Sequence, residues 1–315
     1  AVESAAEALL LEQDDSRPLF LFVNLMPAHA PYHLVPVSWT RPYTQTLTEA
    51  GAPPHLRPYL TRDVPGIDLQ QRAEEGGPTG IQRYLGGDLR LEPADLELLF
   101  ALYDGELVEA DMRLNAILSD WVGAHPGGIV SVTSDHGEAF GERGRIEHRG
   151  SVYSPMLSVP LLIAAPGRLE GGQVVTEPVP LAALGETLLS LAELFAADAG
   201  LRPVIAGGRW TEPIQAAAWP DPYRAPLGAP HDRLWRLYRV GDRALVFGDA
   251  GEVELYDVGT DPLMLVDIAA SAPAEVARLR AAAEGAFPES EGTGSAAPSS
   301  VLREQLEELG YLEPR

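Results

Sequence analysis

One stretch of this chain places reactive residue types at the end of an apolar run. Residues 129–132 predict a buried strand, and Asp135, His136 and Gly137 follow almost directly. In an open parallel α/β sheet, ligands bind just beyond the carboxyl ends of the strands. A carboxylate beside an imidazole at that point can hold a metal ion or act on a substrate. The alternative is a polar strand end at which Asp135 only caps a turn.

Two further histidines are candidates for the same site. His29 follows a second apolar run, at residues 18–26, and His148 lies in the loop beyond His136. If both runs are strands of one sheet, these imidazoles meet at one edge, where they can donate or accept a proton near neutral pH. The alternatives are a surface histidine in a proline turn and a solvated loop histidine. Arg149 is an equally good contact for an anion.

The elements that would position these residues can be predicted from hydrophobic patterning. Apolar runs that suit parallel strands covered on both faces lie at residues 18–26, 129–133 and 159–164. Helical spacing of apolar residues, expected to be core, lies at 93–122 and 179–194. We therefore predict an α/β sandwich with a mainly parallel central sheet.

The character of the chain changes near residue 207. Short, partly alternating runs separated by Gly-Asp turns predict a small antiparallel sheet, and an Ala-rich segment at 273–286 predicts a helix packed with it. Residues rich in Pro, Ser and Gly follow and predict a flexible linker. The predicted organisation is a catalytic α/β domain, an antiparallel subdomain with its helix, and a linker with a terminal helix, at residues 1–206, 207–287 and 288–315.

Composition excludes some partners. The net charge of −23 argues against nucleic acid, which requires a basic face, and against an anionic membrane surface. No apolar run approaches the length of about 18–20 residues that spans a bilayer. An anionic substrate would be repelled at long range, so its site has to be made attractive by a metal, His or Arg. The start of the chain contains Glu3 and Glu7 and does not resemble a signal peptide. The sequence does not indicate a localisation.

The string around Asp135 is specific when it is taken as a whole. Thr133-Ser-Asp-His-Gly-Glu138 is followed by Phe140-Gly-Glu142, Glu147-His148 and Tyr153. This order and spacing resembles the sulfatase family of the alkaline-phosphatase-like superfamily. The resemblance covers nearly the whole chain, since four more segments match patterns typical of that family: 21–32, 103–111, 254–262 and 303–312.

The resemblance implies an alkaline-phosphatase-like fold and a role for each candidate. Asp135 and His136 would be metal ligands, with Ca²⁺ the metal usual in the family and Zn²⁺ or Mn²⁺ the alternatives that an imidazole ligand favours. His29 would contact the sulfate or protonate the leaving group, and His148 or Arg149 would touch the sulfuryl oxygens. No residue is assigned to an organic cofactor. Structural roles are expected for Tyr103, Asp104 and Glu106, and hydrogen bonds within the loop for Glu138 and Glu142.

The family's nucleophile motif, written C/S-x-P-x-R, has no counterpart here. The chain contains no Cys that could become formylglycine, and the segments at Ser16 and at Ser38–Thr40 do not fit the motif. We expect the carboxyl-terminal two-thirds of a sulfatase-like hydrolase of small-molecule or carbohydrate sulfate esters, inactive alone. The alternatives are a phosphoesterase or phosphoethanolamine transferase of the same superfamily, and an inactive fragment that acts as a binding module.

Overall fold

The computed structural model describes residues 6, 18–29, 84–87, 90–220, 227–228 and 230–287. The chain divides into two compact units, Ala1–Ser271 and Ala272–Arg315. The predicted linker, the predicted terminal helix and nearly all of the Pro-rich segment at 33–90 lie outside the described residues. The domain boundaries expected at residues 207 and 288 stay predictions.

The first long element is helix α1, Pro93–Ala124, which confirms the helix predicted at 93–122. Its start is fixed by a capping box, in which Glu92 and Asp95 each accept a hydrogen bond from the other's backbone N–H. Proline at the first helical position suits the helix because it has no N–H that would need a partner. Its buried face includes Leu99, Leu102 and Ile117. The apolar residues at helical spacing in 93–122 were all expected in the core, but three of their side chains are exposed: Phe100, Leu107 and Met112.

Strand β1, Val130–Thr133, and strand β4, Leu161–Ala164, form a two-stranded sheet. They pair antiparallel, so the parallel pairing predicted for these two runs is wrong. The segment that connects β1 to β4 explains why the two strands run antiparallel. It delivers the chain to the end of β1, where the Thr133 hydroxyl donates to the Pro160 carbonyl at 2.8 Å. A parallel partner would have had to begin at the other end of β1.

The connection between β1 and β4 contains a short hairpin and one turn of helix. Strands β2, Ala139–Phe140, and β3, Ile146–Glu147, pair antiparallel around a 3₁₀ turn at Glu142–Gly144. Helix α2, Ser154–Leu157, follows the hairpin. This connection therefore carries most of the candidate site residues.

The apolar run at residues 18–26 is not a buried strand in the described part of the chain. It has no strand partner there, and its side chains Phe20 and Phe22 are 81% and 79% exposed. A strand is stabilised by ladder hydrogen bonds and by cover on its faces; the described residues provide no ladder partner and cover only the side opposite Phe20 and Phe22 in part. All strand pairings that the structure describes are antiparallel, so the mainly parallel central sheet is not displayed by these residues.

The helix predicted at 179–194 is shorter than expected. It consists of a 3₁₀ turn, Leu181–Ala183, and helix α3, Leu184–Leu191. The end of the predicted stripe, Leu194, lies beyond the helix and is 72% exposed. One turn of helix, α4 at Arg202–Ile205, comes next.

The predicted antiparallel sheet is confirmed and has four strands in sequence order. These strands are β5, Ile214–Ala218; β6, Trp235–Val240; β7, Arg243–Gly248; and β8, Val253–Asp257. One face of the sheet is buried in a core that includes Trp235, Val246 and Tyr256, and Val152 and Tyr153 from the loop after β3 pack into the same core. The loop that bears His148 is thus anchored on this sheet.

The second unit contains helix α5, Pro273–Glu284, as the Ala-rich segment predicted. No helix in the described ranges combines the length and the apolar character that a bilayer span requires.

Candidate active site

The turn after β1 is held by local hydrogen bonds. The Ser134 hydroxyl donates to the His136 carbonyl at 2.6 Å, and the Asp135 carboxylate accepts from the His136 N–H at 3.1 Å. The Nδ1 of His136 lies 2.9 Å from the carbonyl oxygen of Gly137. A carbonyl can only accept, so Nδ1 carries a proton and Nε2 presents its lone pair in the neutral ring. The strand end thus offers one imidazole nitrogen as a ligand.

Gly137 is required by a close approach of two backbone segments. A Cβ placed on it would lie 2.0 Å from the carbonyl oxygen of Pro155, and its N–H donates to the Met156 carbonyl at 2.8 Å. Real Cβ atoms essentially never come within 3.0 Å of a neighbour. The strand end and helix α2 can therefore pack together only because residue 137 has no side chain.

Glu138 and His148 form a buried carboxylate–imidazole pair. The His148 Nδ1 lies 3.2 and 3.3 Å from the two carboxylate oxygens of Glu138. The side chains are only 5% and 11% exposed for Glu138 and His148, respectively. The pair is possible because strands β2 and β3 bring Ala139 opposite Glu147. An ionised carboxylate only accepts, so it holds a proton on Nδ1 and leaves Nε2 to face other groups.

Three imidazoles are in contact. The rings of His136 and His148 are stacked, with centroids 4.1 Å apart and planes 21° apart. The His29 ring meets His148 edge-on at 4.9 Å, after a turn in which the His29 N–H donates to the Met26 carbonyl. Asp135 joins the group through its carboxylate, 3.8 Å from the Nε2 of His136. The structure thus brings together the four side chains that the sequence placed in one site.

The donors at this strand end fit part of a metal site. A carboxylate oxygen and an imidazole nitrogen 3.8 Å apart can both reach one ion with bonds of about 2.0–2.4 Å. The contact from Nδ1 of His136 to a backbone carbonyl is the usual support for a ligand imidazole. Among the described residues, no group of three or more His, Asp or Glu side chains is arranged to hold an ion. These residues can therefore supply two ligands of a larger set.

The remaining sequence candidates have other contacts. Tyr103 on α1 packs against Phe140 at 5.0 Å, and burial, followed by the charges of Glu138 and Asp104, raises its pKa. Burial raises the pKa of Asp104 as well. The Glu142 carboxylate accepts the N–H of Phe140 at 2.6 Å. Glu106 is buried, and Arg149 is partly exposed beside His148. Ser16, Ser38 and Thr40 lie outside the described residues.

A charged aromatic cluster next to the site was not recognised in the sequence. Arg143 and Tyr153, on either side of His148, both contact Glu254 of strand β8. Burial, followed by the charge of Glu254, raises the pKa of Tyr153 to about 12. Burial lowers the pKa of Arg145, which points its guanidinium at the same ring. Tyr153 and Glu254 both lie in motifs that carried the family resemblance, and this was the available signal.

The sulfatase family profile matches residues 2–194, which is more than half of the chain. The chain belongs to the sulfatase family. Its fold is accordingly alkaline-phosphatase-like, with a small antiparallel sheet. No curated protein gives a significant match.

Solved structures of sulfatases and of a related hydrolase resemble the chain. The candidate sulfatase yidJ from Bacteroides fragilis aligns with a TM-score of 0.61 and 19% identity, over 89% of this chain and 56% of that one. Phosphonate monoester hydrolase of Agrobacterium radiobacter aligns with a TM-score of 0.61 and 22% identity, over 90% of this chain and 58% of that one. BT4656, solved with its substrate D-glucosamine-2-N,6-O-disulfate, aligns with a TM-score of 0.61 and 17% identity, over 99% of this chain and 70% of that one. These likenesses show the fold, and this chain spans little more than half the length of the first two.

Proposed function

We propose that this chain forms part of a metal-dependent hydrolase of sulfate esters. The observation that carries the proposal is the contact of His29, His136 and His148 beside Asp135 at one strand end. Three imidazoles create a local site for an oxyanion in a protein whose net charge of −23 would otherwise repel it. Membership of the sulfatase family supports sulfate as the oxyanion.

Each residue has a role that its contacts suit. Asp135 and His136 would ligate a divalent metal, which we expect to be Ca²⁺, with Zn²⁺ or Mn²⁺ as alternatives because one ligand is an imidazole. When bound, such an ion stabilises negative charge on the sulfate oxygens. His148 is oriented by Glu138, and in its protonated form the imidazole can donate its Nε2–H to a sulfuryl oxygen. His29, at the edge of His148, would give a proton to the leaving alkoxide.

The nucleophile has to come from outside these residues. The sequence contains no C/S-x-P-x-R string, so we expect a formylglycine-type nucleophile to be supplied by a polypeptide segment that these 315 residues do not include. The reaction would transfer the sulfuryl group from the ester oxygen to that nucleophile, and a proton would pass to the departing alcohol. The chain alone is therefore expected to bind metal weakly and to leave sulfate esters intact.

Phosphonate or phosphate esters are the second candidate substrates. A structure that resembles this chain belongs to a phosphonate monoester hydrolase, and a phosphonate monoester has the tetrahedral shape and single negative charge of a sulfate ester. Sulfated sugars are the substrate class that we favour, since the structurally similar BT4656 binds one.

The test is a comparison of three proteins in aryl-sulfate and aryl-phosphonate assays: this chain, the chain joined to a nucleophile-bearing segment from its own coding sequence, and the joined protein with Asp135→Ala. We expect turnover only in the joined protein and its loss in Asp135→Ala. Asp120→Ala, an exposed change on α1, is the control and should keep turnover. Rapid hydrolysis by the 315-residue chain alone would show that its nucleophile lies within it and would overturn this assignment.

A further inference from the structure

The loop that carries His148 has a backbone that needs external support. We name residues 141–153 the histidine loop. Within it, Arg143 and Glu147 adopt left-handed conformations with φ of 55° and 61°, although neither is glycine. Such conformations are unfavourable for residues with a Cβ and persist only where surrounding contacts impose them. Since Glu147 directly precedes His148, the strained backbone sets the direction of the histidine.

Side-chain contacts from both sides of His148 converge on one atom of strand β8. The Oε2 of Glu254 accepts hydrogen bonds from the hydroxyl of Tyr153 at 2.8 Å and from Nη2 of Arg143 at 3.2 Å. It also accepts a short hydrogen bond from Tyr256. Arg143 and Tyr153 each lie five residues from His148, one on either side. Glu254 therefore fixes the histidine loop at both ends.

The anchor formed by Glu254, Arg143 and the two tyrosines is partly shielded from water. Tyr153 and Tyr256 belong to the buried core of the antiparallel sheet. The guanidinium of Arg143 lies 3.9 Å from the centre of the Tyr153 ring, and its Nη1 donates to the Met264 carbonyl at 2.6 Å. A cation over an aromatic face and beside a carboxylate is held by both charges. Arg143 is thus held by the Tyr153 ring, the Met264 carbonyl and Glu254.

From these contacts we infer that Glu254 is a positioning residue for His148. It does not reach the imidazoles itself and acts through Arg143 and Tyr153. Its loss would release the strained conformation before His148 and separate the stacked rings of His148 and His136. The inference rests on the proposed function only for the catalytic role of His148, since the order of the loop can be measured without substrate.

The experiment compares Glu254→Gln and Glu254→Ala with the matched control Glu252→Gln. Glu252 lies just before β8 and pairs with Arg233 at 3.2 Å, away from the histidine loop. Hydrogen exchange followed by mass spectrometry reports the order of residues 141–153 and, as an internal reference, of residues 235–248. Diethylpyrocarbonate labelling reports the accessibility of each histidine, with His125 as the reference.

In Glu254→Gln we expect exchange in the histidine loop to accelerate roughly 10- to 100-fold, because the ion pair with Arg143 is lost and a neutral amide oxygen accepts hydrogen bonds more weakly than a carboxylate. The reference peptide and the labelling of His125 should not change, while labelling of His148 should rise. Glu254→Ala should produce a larger effect, and Glu252→Gln none. Wild-type exchange in the loop, or acceleration spread evenly over the sheet, would overturn the inference.

If Glu254→Gln fails to fold, Arg143→Lys provides the same test. Lysine keeps the positive charge but cannot bond Glu254 and the Met264 carbonyl with one planar group. We expect it to accelerate exchange in the histidine loop and leave residues 235–248 unchanged. An unchanged loop in this variant would also contradict the inference. A loop that loosens as expected, together with a lack of sulfatase turnover in the chain joined to its nucleophile-bearing segment, would count against the proposed function alone.

Discussion

Replacing Gly137 by alanine is the sharpest test of how the strand end is built. The added Cβ would lie 2.0 Å from the carbonyl oxygen of Pro155, whereas ordinary contact begins near 3.4 Å. The two segments must therefore separate by about 1.4 Å, taking the difference between those distances. A shift of that size breaks the hydrogen bond from the Gly137 N–H to the Met156 carbonyl, now 2.8 Å long.

The expected cost follows from these two effects. Overpacking of this kind costs about 1–3 kcal/mol, and the lost hydrogen bond about 1 kcal/mol, so the free energy of unfolding should fall by roughly 2–4 kcal/mol. The imidazole of His136 should move as well, because its Nδ1 contacts the carbonyl of the altered residue. Gly137→Ala is therefore predicted to disturb stability and the stacked histidines together.

Urea denaturation followed by tryptophan fluorescence measures the first effect, and imidazole NMR resonances of His136 and His148 measure the second. The control is Gly123→Ala near the end of α1, where an added Cβ meets nothing within 4 Å. This control should be neutral or raise stability by up to about 1 kcal/mol. A Gly137→Ala protein within about 0.5 kcal/mol of wild type, with unshifted histidine resonances, would refute the close-approach argument.

Two further predictions concern the core. Burial, followed by the charge of Glu254, raises the pKa of Tyr153 from 10.0 to about 12. The protonated hydroxyl therefore makes its full contribution to the unfolding free energy below pH 10, and this contribution is lost as the pH rises to about 12. Tyr153→Phe should flatten this part of a plot of unfolding free energy against pH, and parallel curves for variant and wild type would contradict the assignment. Thr187 accepts from the Leu201 N–H at 2.8 Å and donates to the Ala183 carbonyl at 2.7 Å, so Thr187→Val should cost about 1–3 kcal/mol in urea denaturation. Thr187→Ser retains both bonds and should be milder; equal losses in the two variants would place the effect in packing instead.

Much of this site could be predicted from local sequence. The apolar run before Asp135 forms a strand, and the acid and imidazole follow its end as expected. Short alternating runs with Gly-Asp turns became the antiparallel sheet from β6 to β8. These features follow from residue type, spacing and turn chemistry, which act over a few positions along the chain.

Tertiary structure decided everything that depends on distant contacts. The direction of β4 was set by where the preceding hairpin and helix deliver the chain, and patterning alone cannot encode that. The exposure of Phe20 and Phe22 reflects the lack of cover on their side of the chain among the described residues, although the run at 18–26 was predicted to be a buried strand. Hydrophobic pattern reports what a segment can bury, and packing determines what it does bury.

The geometry around His148 also combines features that the local sequence predicts with features that only tertiary contacts decide. Sequence supplied a histidine at a suggestive spacing, but its pairing with Glu138 depends on the register of β2 and β3. The support of its loop comes from Glu254, which is 101 residues from its partner Tyr153 along the chain. Residue types and the strand-end location were determined by the sequence itself. Orientation was decided by the fold, because a hydrogen bond between distant residues forms only once packing has brought them together.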